Sequence, residues 1–176
     1  MRSDLVDNLL VDHALQQQHI DAIIEMVTSN GYHVIEIDYR GINPSLRTAF
    51  GEFVAELADQ LHQQGKTLAV RVEYPRQIAF DQWDTGAFEW SELGRAADVL
   101  KVPSLPDPQA YVSDGAMDQL VHWAVSQVER QKLQFVLSTR SVNQRVNNPT
   151  FVSYAEAMAP FTRVRTESGR ETFKPG

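Results

Sequence analysis

The stretch that decides the fold is residues 31–41, GYHVIEIDYRG, in which apolar and charged side chains alternate. The apolar residues at positions 35, 37 and 39 share one parity, and the opposite parity carries Glu36, Asp38 and Arg40. Successive side chains of a strand point to opposite faces of the sheet. The pattern therefore predicts a strand over about 33–39 that has one apolar face and one charged face.

Helical and extended segments alternate after this strand. Apolar spacing predicts long helices at about 13–29, 45–64 and 117–128, a short helix through 93–97, and further strands at 67–74, 99–102 and 133–139. Asp12 and Asn43 are suited to cap the first two helices, while Gly31 and Gly65 follow their ends. The repeated strand–helix order predicts an α/β fold with a parallel sheet and right-handed crossovers.

Charged residues recur at one parity of the other predicted strands. Parallel strands are covered on both sides and are normally apolar throughout, yet Arg71 and Glu73 interrupt the second strand, Lys101 the third and Arg140 the end of the fourth. Polar groups that converge near the C-terminal ends of parallel strands are typical of a (β/α) barrel mouth. We therefore expect this charged set to lie on the side of one sheet that faces away from the long helices: Glu36, Asp38, Arg40, Arg71, Glu73 and Arg140.

Composition limits the class of protein. A chain of 176 residues can form one domain with a sizeable core. Its formal net charge of −7 argues against a nucleic-acid partner, and the absence of cysteine excludes a disulfide framework and thiolate chemistry. We find no signal-peptide h-region at the N-terminus and no apolar run long enough to span a membrane, so no membrane partner is expected and the compartment stays open.

The stretch GYHVIEIDYRGI resembles the signature strand of glycoside hydrolase family 18, D-G-x-D-x-D-x-E, on the fourth strand of a (β/α)8 barrel. This family contains chitinases and spore peptidoglycan hydrolases. The flanking segments FGEFVAELADQLHQQGK and TLAVRVEYP fit the same order, WDTGAFEWSELGRAADVLKV is similar to the segment entering the sixth strand, and SYAEAMAPF to one after the seventh. The resemblance covers about residues 10–160 and implies barrel strands four to seven.

The signature departs from the family at the residues that carry the chemistry. By the resemblance, His33, Glu36 and Asp38 stand at the three aspartate positions and Arg40 stands at the terminal glutamate. In the family, that glutamate protonates the leaving oxygen, while the preceding aspartate orients the substrate N-acetyl group that attacks the anomeric carbon. A guanidinium with a pKa above about 12 cannot donate this proton at neutral pH. The tyrosine–aspartate pair expected on the sixth strand is also missing from VLKVPSLPD.

Three interpretations of the charged cluster remain open from the sequence. Its carboxylates could simply neutralise its cations, because an unpaired buried ion is costly. Alternatively, the cluster lines a groove for a sugar or another polyhydroxylated, even anionic, ligand. In the third interpretation, Glu73 or Glu36 replaces the lost acid.

We expect a carbohydrate-binding, catalytically inactive chitinase-like domain that binds a sugar such as one containing N-acetylglucosamine. The catalytic candidates are Asp38, Glu36 and Glu73, and the ligand-binding candidates are Asp38, Arg40, Arg71, Glu73, Lys101, Arg140, Trp83 and Trp90.

Other residues offer weaker signals. Trp83 and Trp90, with Phe88, could form a platform on which a sugar ring stacks, or could close the small core of their own loop. The histidines show no metal-ligand spacing, so neither a metal nor another cofactor is expected. Ser138 has no recognisable His/Asp partners for a nucleophile.

The length is short for a complete barrel, which takes about 250 residues. We expect residues 1–176 to form a single partial barrel domain whose polar segment 141–176 is cut from a longer chain. A second copy could instead complete the barrel in a homo-oligomer, or a half-barrel could stay open. Members of the family are often exported, although this sequence does not assign a compartment.

Overall fold

The computed structural model describes residues 3–138, 141–143, 150–158, 161–167 and 170–175. Its helices are α1 (Ser3–Val11), α2 (His13–Ser29), α3 (Arg47–Gln63), α4 (Trp90–Ala96), α5 (Ala116–Gln127) and α6 (Tyr154–Met158). Its strands are β1 (Val34–Ile37), β2 (Thr67–Arg71), β3 (Arg76–Ala79), β4 (Gln82–Asp84), β5 (Val99–Pro103), β6 (Leu133–Val136), β7 (Ser141–Asn143), β8 (Thr150–Val152), β9 (Phe161–Glu167) and β10 (Arg170–Pro175). No helix within these ranges is long and apolar enough to cross a membrane.

Four strands form a parallel sheet in the order β1-β2-β5-β6. Helices separate them along the chain, as the sequence predicted for an α/β fold. The strands β1, β2 and β6 end earlier than expected, because the chain leaves the hydrogen-bonded ladder after Ile37, Arg71 and Val136. The predicted charged residues Asp38, Arg40 and Glu73 therefore lie in loops at the C-terminal edge of the sheet.

Local caps fix the boundaries of α2 and α3. The Asp12 side chain accepts hydrogen bonds from the N–H groups of Ala14 and Leu15, at 2.9 and 3.2 Å, which satisfies two donors at the start of α2. Asn43 accepts from the Ser45 N–H at 3.0 Å and begins a 3₁₀ turn at Pro44–Leu46 that leads into α3. The predicted starts of these two helical segments agree with the structure because each cap depends only on residues adjacent in the sequence.

The core lies between the sheet and its helices. One parity of the strands is buried and apolar, with Leu68 and Val70 on β2 and Leu100 on β5. The helix α3 contributes a fully buried stripe to the same core: Phe50, Phe53, Val54, Leu57, Ala58 and Leu61. Because this parity faces the helices, the charged parity is left on the opposite face of the sheet.

The contact between α4 and the segment after α5 is tight. A Cβ atom built on Gly94 would lie 2.7 Å from Cγ1 of Val128, so only glycine allows this approach. Lys132 Nζ donates to the carbonyl oxygens of Gly94 and Ala97, at 2.9 and 3.1 Å, and so caps the C-terminal end of α4. These contacts hold the start of β6 beside β5.

Several elements were not predicted. The helix α1 packs on the core through Val6 and Leu10, and the segment expected to be a loop after β2 contains the antiparallel hairpin β3–β4. The C-terminal segment, described from the sequence as a polar extension without assigned strands, contains the antiparallel pairs β7–β8 and β9–β10.

Candidate functional site

A charged cluster crosses the middle of the sheet on the face away from the helices. Lys101 on β5 donates to Oε2 of Glu36 on β1, and an Arg71 nitrogen lies 3.7 Å from Oε1 of the same carboxylate. The three side chains are 28–31% exposed, so they are partly solvated. Their contacts confirm that the charged parities of three strands point to the same side.

Asp38 and Arg40 form the second part of the cluster. Arg40 donates from Nε to Oδ1 of Asp38 at 2.8 Å and from a terminal nitrogen to Oδ2 at 2.9 Å, so the pair is bidentate. The hydrogen bond from Arg40 lowers the pKa of the Asp38 carboxyl and keeps it ionised at neutral pH. Asp38 is therefore held as a hydrogen-bond acceptor rather than as a proton donor.

Glu73 connects the ends of β1 and β2. Its Oε1 accepts a hydrogen bond of 2.7 Å from the N–H of Gly41. Gly41 has a positive φ of 67°, a conformation that favours glycine. The bond between these loops fixes the backbone just beyond Arg40, so Glu73 positions part of the site as well as lining it.

A cavity of about 290 Å³ opens beside this cluster at the C-terminal edge of the sheet. It is lined by Arg40, Arg71, Val72, Glu73, Tyr74 and Pro103. Hydrogen-bond donors, one carboxylate and an aromatic ring thus face the same space. Such a combination can bind a polar molecule that also offers an apolar face.

Tyr74 was missed by the sequence analysis. Its parity matches that of the buried Val70 and Val72, which predicted a side chain facing the helices. The strand ends at Arg71, however, and the alternation does not continue, so the Tyr74 side chain lies 44% exposed at the cavity. An aromatic residue three positions beyond the end of a strand was the available signal.

The two candidate tryptophans do not agree with a stacking platform. Trp83 is 8% exposed and Trp90 is 1% exposed, so neither offers a ring face to a ligand. Trp90 packs against Trp123 with ring centroids 5.0 Å apart, and Phe88, also buried, packs edge-on against Phe50. The alternative interpretation, that these aromatics close a core, fits their positions, and we remove both tryptophans from the ligand-binding set.

The remaining candidates are placed as follows. Lys101 belongs to the charged cluster but does not line the cavity beside it, and Arg140 lies outside the described residues.

The residues with weaker signals lie away from this cavity. Ser138 lines a separate cavity with Ser104 and Tyr111. His33 precedes β1, at the opposite end of the strand from Asp38. The described part of the chain contains no group of three His, Asp or Glu side chains placed to hold a metal ion.

The sequence is similar to that of a bacterial glycosylase. No family model matches the sequence. The uncharacterized glycosylase YvbX of Bacillus subtilis (strain 168) is 21% identical over 128 residues, which cover 72% of this chain and 36% of that protein.

Solved structures of a chitinase and of a spore cortex-lytic enzyme share the fold of this chain. A chitinase from Chromobacterium violaceum ATCC 12472 superposes with a TM-score of 0.74 at 20% identity, over 99% of this chain and 58% of that one. The spore cortex-lytic enzyme SleL of Bacillus megaterium QM B1551 gives a TM-score of 0.69 at 15% identity, over 96% and 42%. This chain thus spans about 36 to 58% of the length of these three proteins. In fold, the chain matches part of the barrel of these two proteins, as the resemblance to glycoside hydrolase family 18 predicted.

Proposed function

We propose that this domain binds carbohydrate in the cavity beside Arg40 and Glu73 without hydrolysing it. The observation that carries this proposal is the bidentate pair between Arg40 and Asp38. A glycoside hydrolase needs a carboxylic acid beside the leaving oxygen. Here the residue at that position of the signature is a guanidinium, and the nearby aspartate is held ionised by it.

The lining of the cavity suits a sugar. The guanidinium groups of Arg40 and Arg71 can donate to ring and hydroxyl oxygens, and the Glu73 carboxylate can accept from hydroxyl or N-acetyl N–H groups. The Tyr74 side chain is 44% exposed and its ring centroid lies 6.3 Å from that of Phe151, so the part of the ring that Phe151 leaves open can offer an apolar surface to a pyranose face. Ligand pockets usually exceed about 300 Å³, so a cavity of about 290 Å³ suits one sugar unit with the rest of the glycan outside.

The names of the relatives suggest the class of glycan. A chitinase and a spore cortex-lytic enzyme share the fold, and both names imply polymers that contain N-acetylglucosamine. This chain spans only part of their length, so the class of ligand comes to it as part of the proposal. We expect weak binding, because a complete barrel would supply more of the mouth than four strands do.

Calorimetric titration with chitotetraose tests the proposal, with Tyr74→Ala as the informative variant. Wild type should bind, and loss of the stacking ring should weaken binding about tenfold, which corresponds to about 1.4 kcal/mol. Tyr32→Ala is a matched control, because Tyr32 is similarly exposed, at 51%, but precedes β1 at the other end of the strand. No detectable heat at millimolar ligand would leave the charged cluster with a purely structural role.

A hydrolase with a relocated acid is the second candidate, because Glu73 is a carboxylate that lines the cavity. This candidate predicts slow release of reducing ends from chitin oligomers or peptidoglycan by wild type, abolished in Glu73→Gln. Our proposal predicts no release by either protein. Glutamine retains a carbonyl oxygen for the Gly41 N–H, so the variant separates the acid function from the positioning of the loop.

A further inference from the structure

The charged side chains around the cavity differ in how closely they are paired with opposite charges. Both oxygens of Asp38 accept from Arg40, at 2.8 and 2.9 Å. Glu36 is held closely by Lys101, whereas its contact with Arg71 is long, at 3.7 Å. Arg71 is therefore the least tightly paired of the three cations in the cluster, and its side chain lines the cavity.

Glu73, the carboxylate in the cavity, has one of its two oxygens hydrogen-bonded to the protein backbone. Glu73 Oε1 accepts from the N–H of Gly41, which leaves its second oxygen for a ligand. Two guanidinium groups and one carboxylate line the cavity. Asp38 neutralises Arg40, whereas Arg71 has only a 3.7 Å contact with Glu36, so Arg71 is the lining cation best placed to meet an anionic ligand. An uncharged sugar would meet Arg71 only through hydroxyl oxygens, whereas a carboxylate presents two coplanar oxygens that match the guanidinium fork.

We propose that the ligand is an acidic saccharide whose carboxylate pairs with Arg71 while its hydroxyl groups donate to Glu73. This inference rests on the proposed carbohydrate binding and names the class of sugar. Arg71, rather than Arg40, is the selective residue, because Nε and one terminal nitrogen of Arg40 are already held by Asp38. The carboxylate can belong to a uronic acid or to the lactyl group of a muramic acid, since both offer the same two oxygens.

Two probes of equal length test the inference by calorimetry. Chitotetraose is neutral, while a hyaluronan tetrasaccharide alternates N-acetylglucosamine with glucuronate. We expect the acidic tetrasaccharide to bind about tenfold more tightly at low salt, because a charge-assisted hydrogen bond contributes more than a neutral one. The advantage should shrink in 0.5 M NaCl, as screening requires.

Protein and ligand variants make the test specific. Arg71→Gln should bring the two affinities within about twofold, since a loss of about 1.4 kcal/mol removes a tenfold advantage. Chitotetraose binding should weaken much less than binding of the acidic probe, because glutamine keeps an N–H donor for hydroxyl oxygens. Arg95→Gln should leave both affinities unchanged, because Arg95 lies exposed on α4 and does not line this cavity. If Arg71→Gln does not fold, carboxyl-reduced hyaluronan tetrasaccharide tests the same contact on wild type and should bind like chitotetraose.

The outcomes separate the two proposals. Equal affinity of wild type for neutral and acidic tetrasaccharides would overturn the acidic-ligand inference and leave carbohydrate binding standing. Binding of neither would overturn both. A preference for the acidic probe that survives carboxyl reduction would also overturn the inference, because the carboxylate would not be the recognised group. Where the carboxylate is the recognised group, a disaccharide of N-acetylglucosamine and N-acetylmuramic acid is compared with a hyaluronan disaccharide of the same length. Tighter binding of the muramic acid disaccharide assigns the lactyl carboxylate, and weaker binding assigns the uronate.

Discussion

Lys101 and Glu36 form an ion pair although β2 lies between their strands. The register places Glu36 opposite Ala69 on β2, and Ala69 in turn opposite Val99 on β5. Ala69 has the same parity as Arg71, so its methyl group lies on the charged face, where it is 1% exposed. A small side chain at this position leaves the space through which the lysine reaches the glutamate.

Ala69→Leu should therefore disrupt the charged cluster. The larger side chain would occupy the space between Glu36 and Lys101, and overpacking of this kind costs about 1–3 kcal/mol. Urea denaturation measures the loss, and Ala69→Ser, which adds one atom, should cost much less. Equal stability of the leucine variant and wild type would contradict the assigned position of Ala69.

His19 should make stability depend on pH. Partial burial lowers the pKa of His19, on α2, from its ordinary value of 6.5. Its ring contacts the Tyr39 hydroxyl and lies 6.2 Å from the ring of Phe53 on α3. The unfolded chain then binds this proton more readily than the folded chain does. Stability should fall as pH drops below 6.5 and level off below the folded pKa. The urea midpoint of wild type should decline between pH about 7.5 and pH about 5, and the midpoint of His19→Phe should decline less over the same range. Equal declines in the two proteins would show that a group other than His19 is responsible.

Gly94 and Gly65 should respond differently to alanine. Gly94→Ala places a Cβ atom 2.7 Å from Val128, between well-packed elements, and should cost about 1–3 kcal/mol. At Gly65 nothing lies within 4 Å, and only the positive φ of 64° opposes a side chain, so the cost should be about 1 kcal/mol. The two urea midpoints provide the comparison. A larger loss at Gly65 would mean that the approach of α4 to Val128 is looser than the structure has it.

The sheet and its charged face could be predicted because both depend on short-range patterns. Alternation along β1 and β2 assigned each side chain to a face, and caps such as Asp12 set the helix boundaries. The hairpin β3–β4 was missed because its turn at Phe80–Asp81 contains no glycine, although Asp81 adopts a positive φ of 54°. The strand pairs after residue 141 depend on partners that polar composition does not indicate.

The candidate site was predicted only in part. Residues on the strands were placed correctly, whereas Tyr74 and the tryptophans were not, since strand parity says nothing once the ladder ends. Trp90 did carry a signal for burial: with Leu93 and Ala97 it forms an apolar stripe at spacings of three and four, and all three are buried. The cavity forms where the segment after β1 meets the C-terminal ends of β2 and β5. The sequence does not specify how these three parts of the chain come together.

Arg40→Glu would restore the terminal carboxylate of the signature, and we expect no turnover from it. The substitution removes the guanidinium that lowers the pKa of Asp38 and adds a carboxylate near Asp38 and Glu73, so the pKa of Asp38 should rise. The tyrosine–aspartate pair of the sixth strand stays absent from residues 99–107, so the N-acetyl group would lack part of its positioning. The cost in stability should stay near or below about 1 kcal/mol, because Arg40 and Asp38 are 57% and 38% exposed.

Arg40→Gln is the matched control for this substitution, because it removes the same positive charge without adding a carboxylate. Reducing-end assays on chitin oligomers should remain at background for wild type and both variants, while NMR titration should show a higher pKa for Asp38 in Arg40→Glu than in Arg40→Gln. The second carboxylate is the only difference between the two variants, and like charges disfavour ionisation of one another. Turnover confined to Arg40→Glu would mean that the missing acid was the sole defect of the site and that four strands suffice to position a substrate.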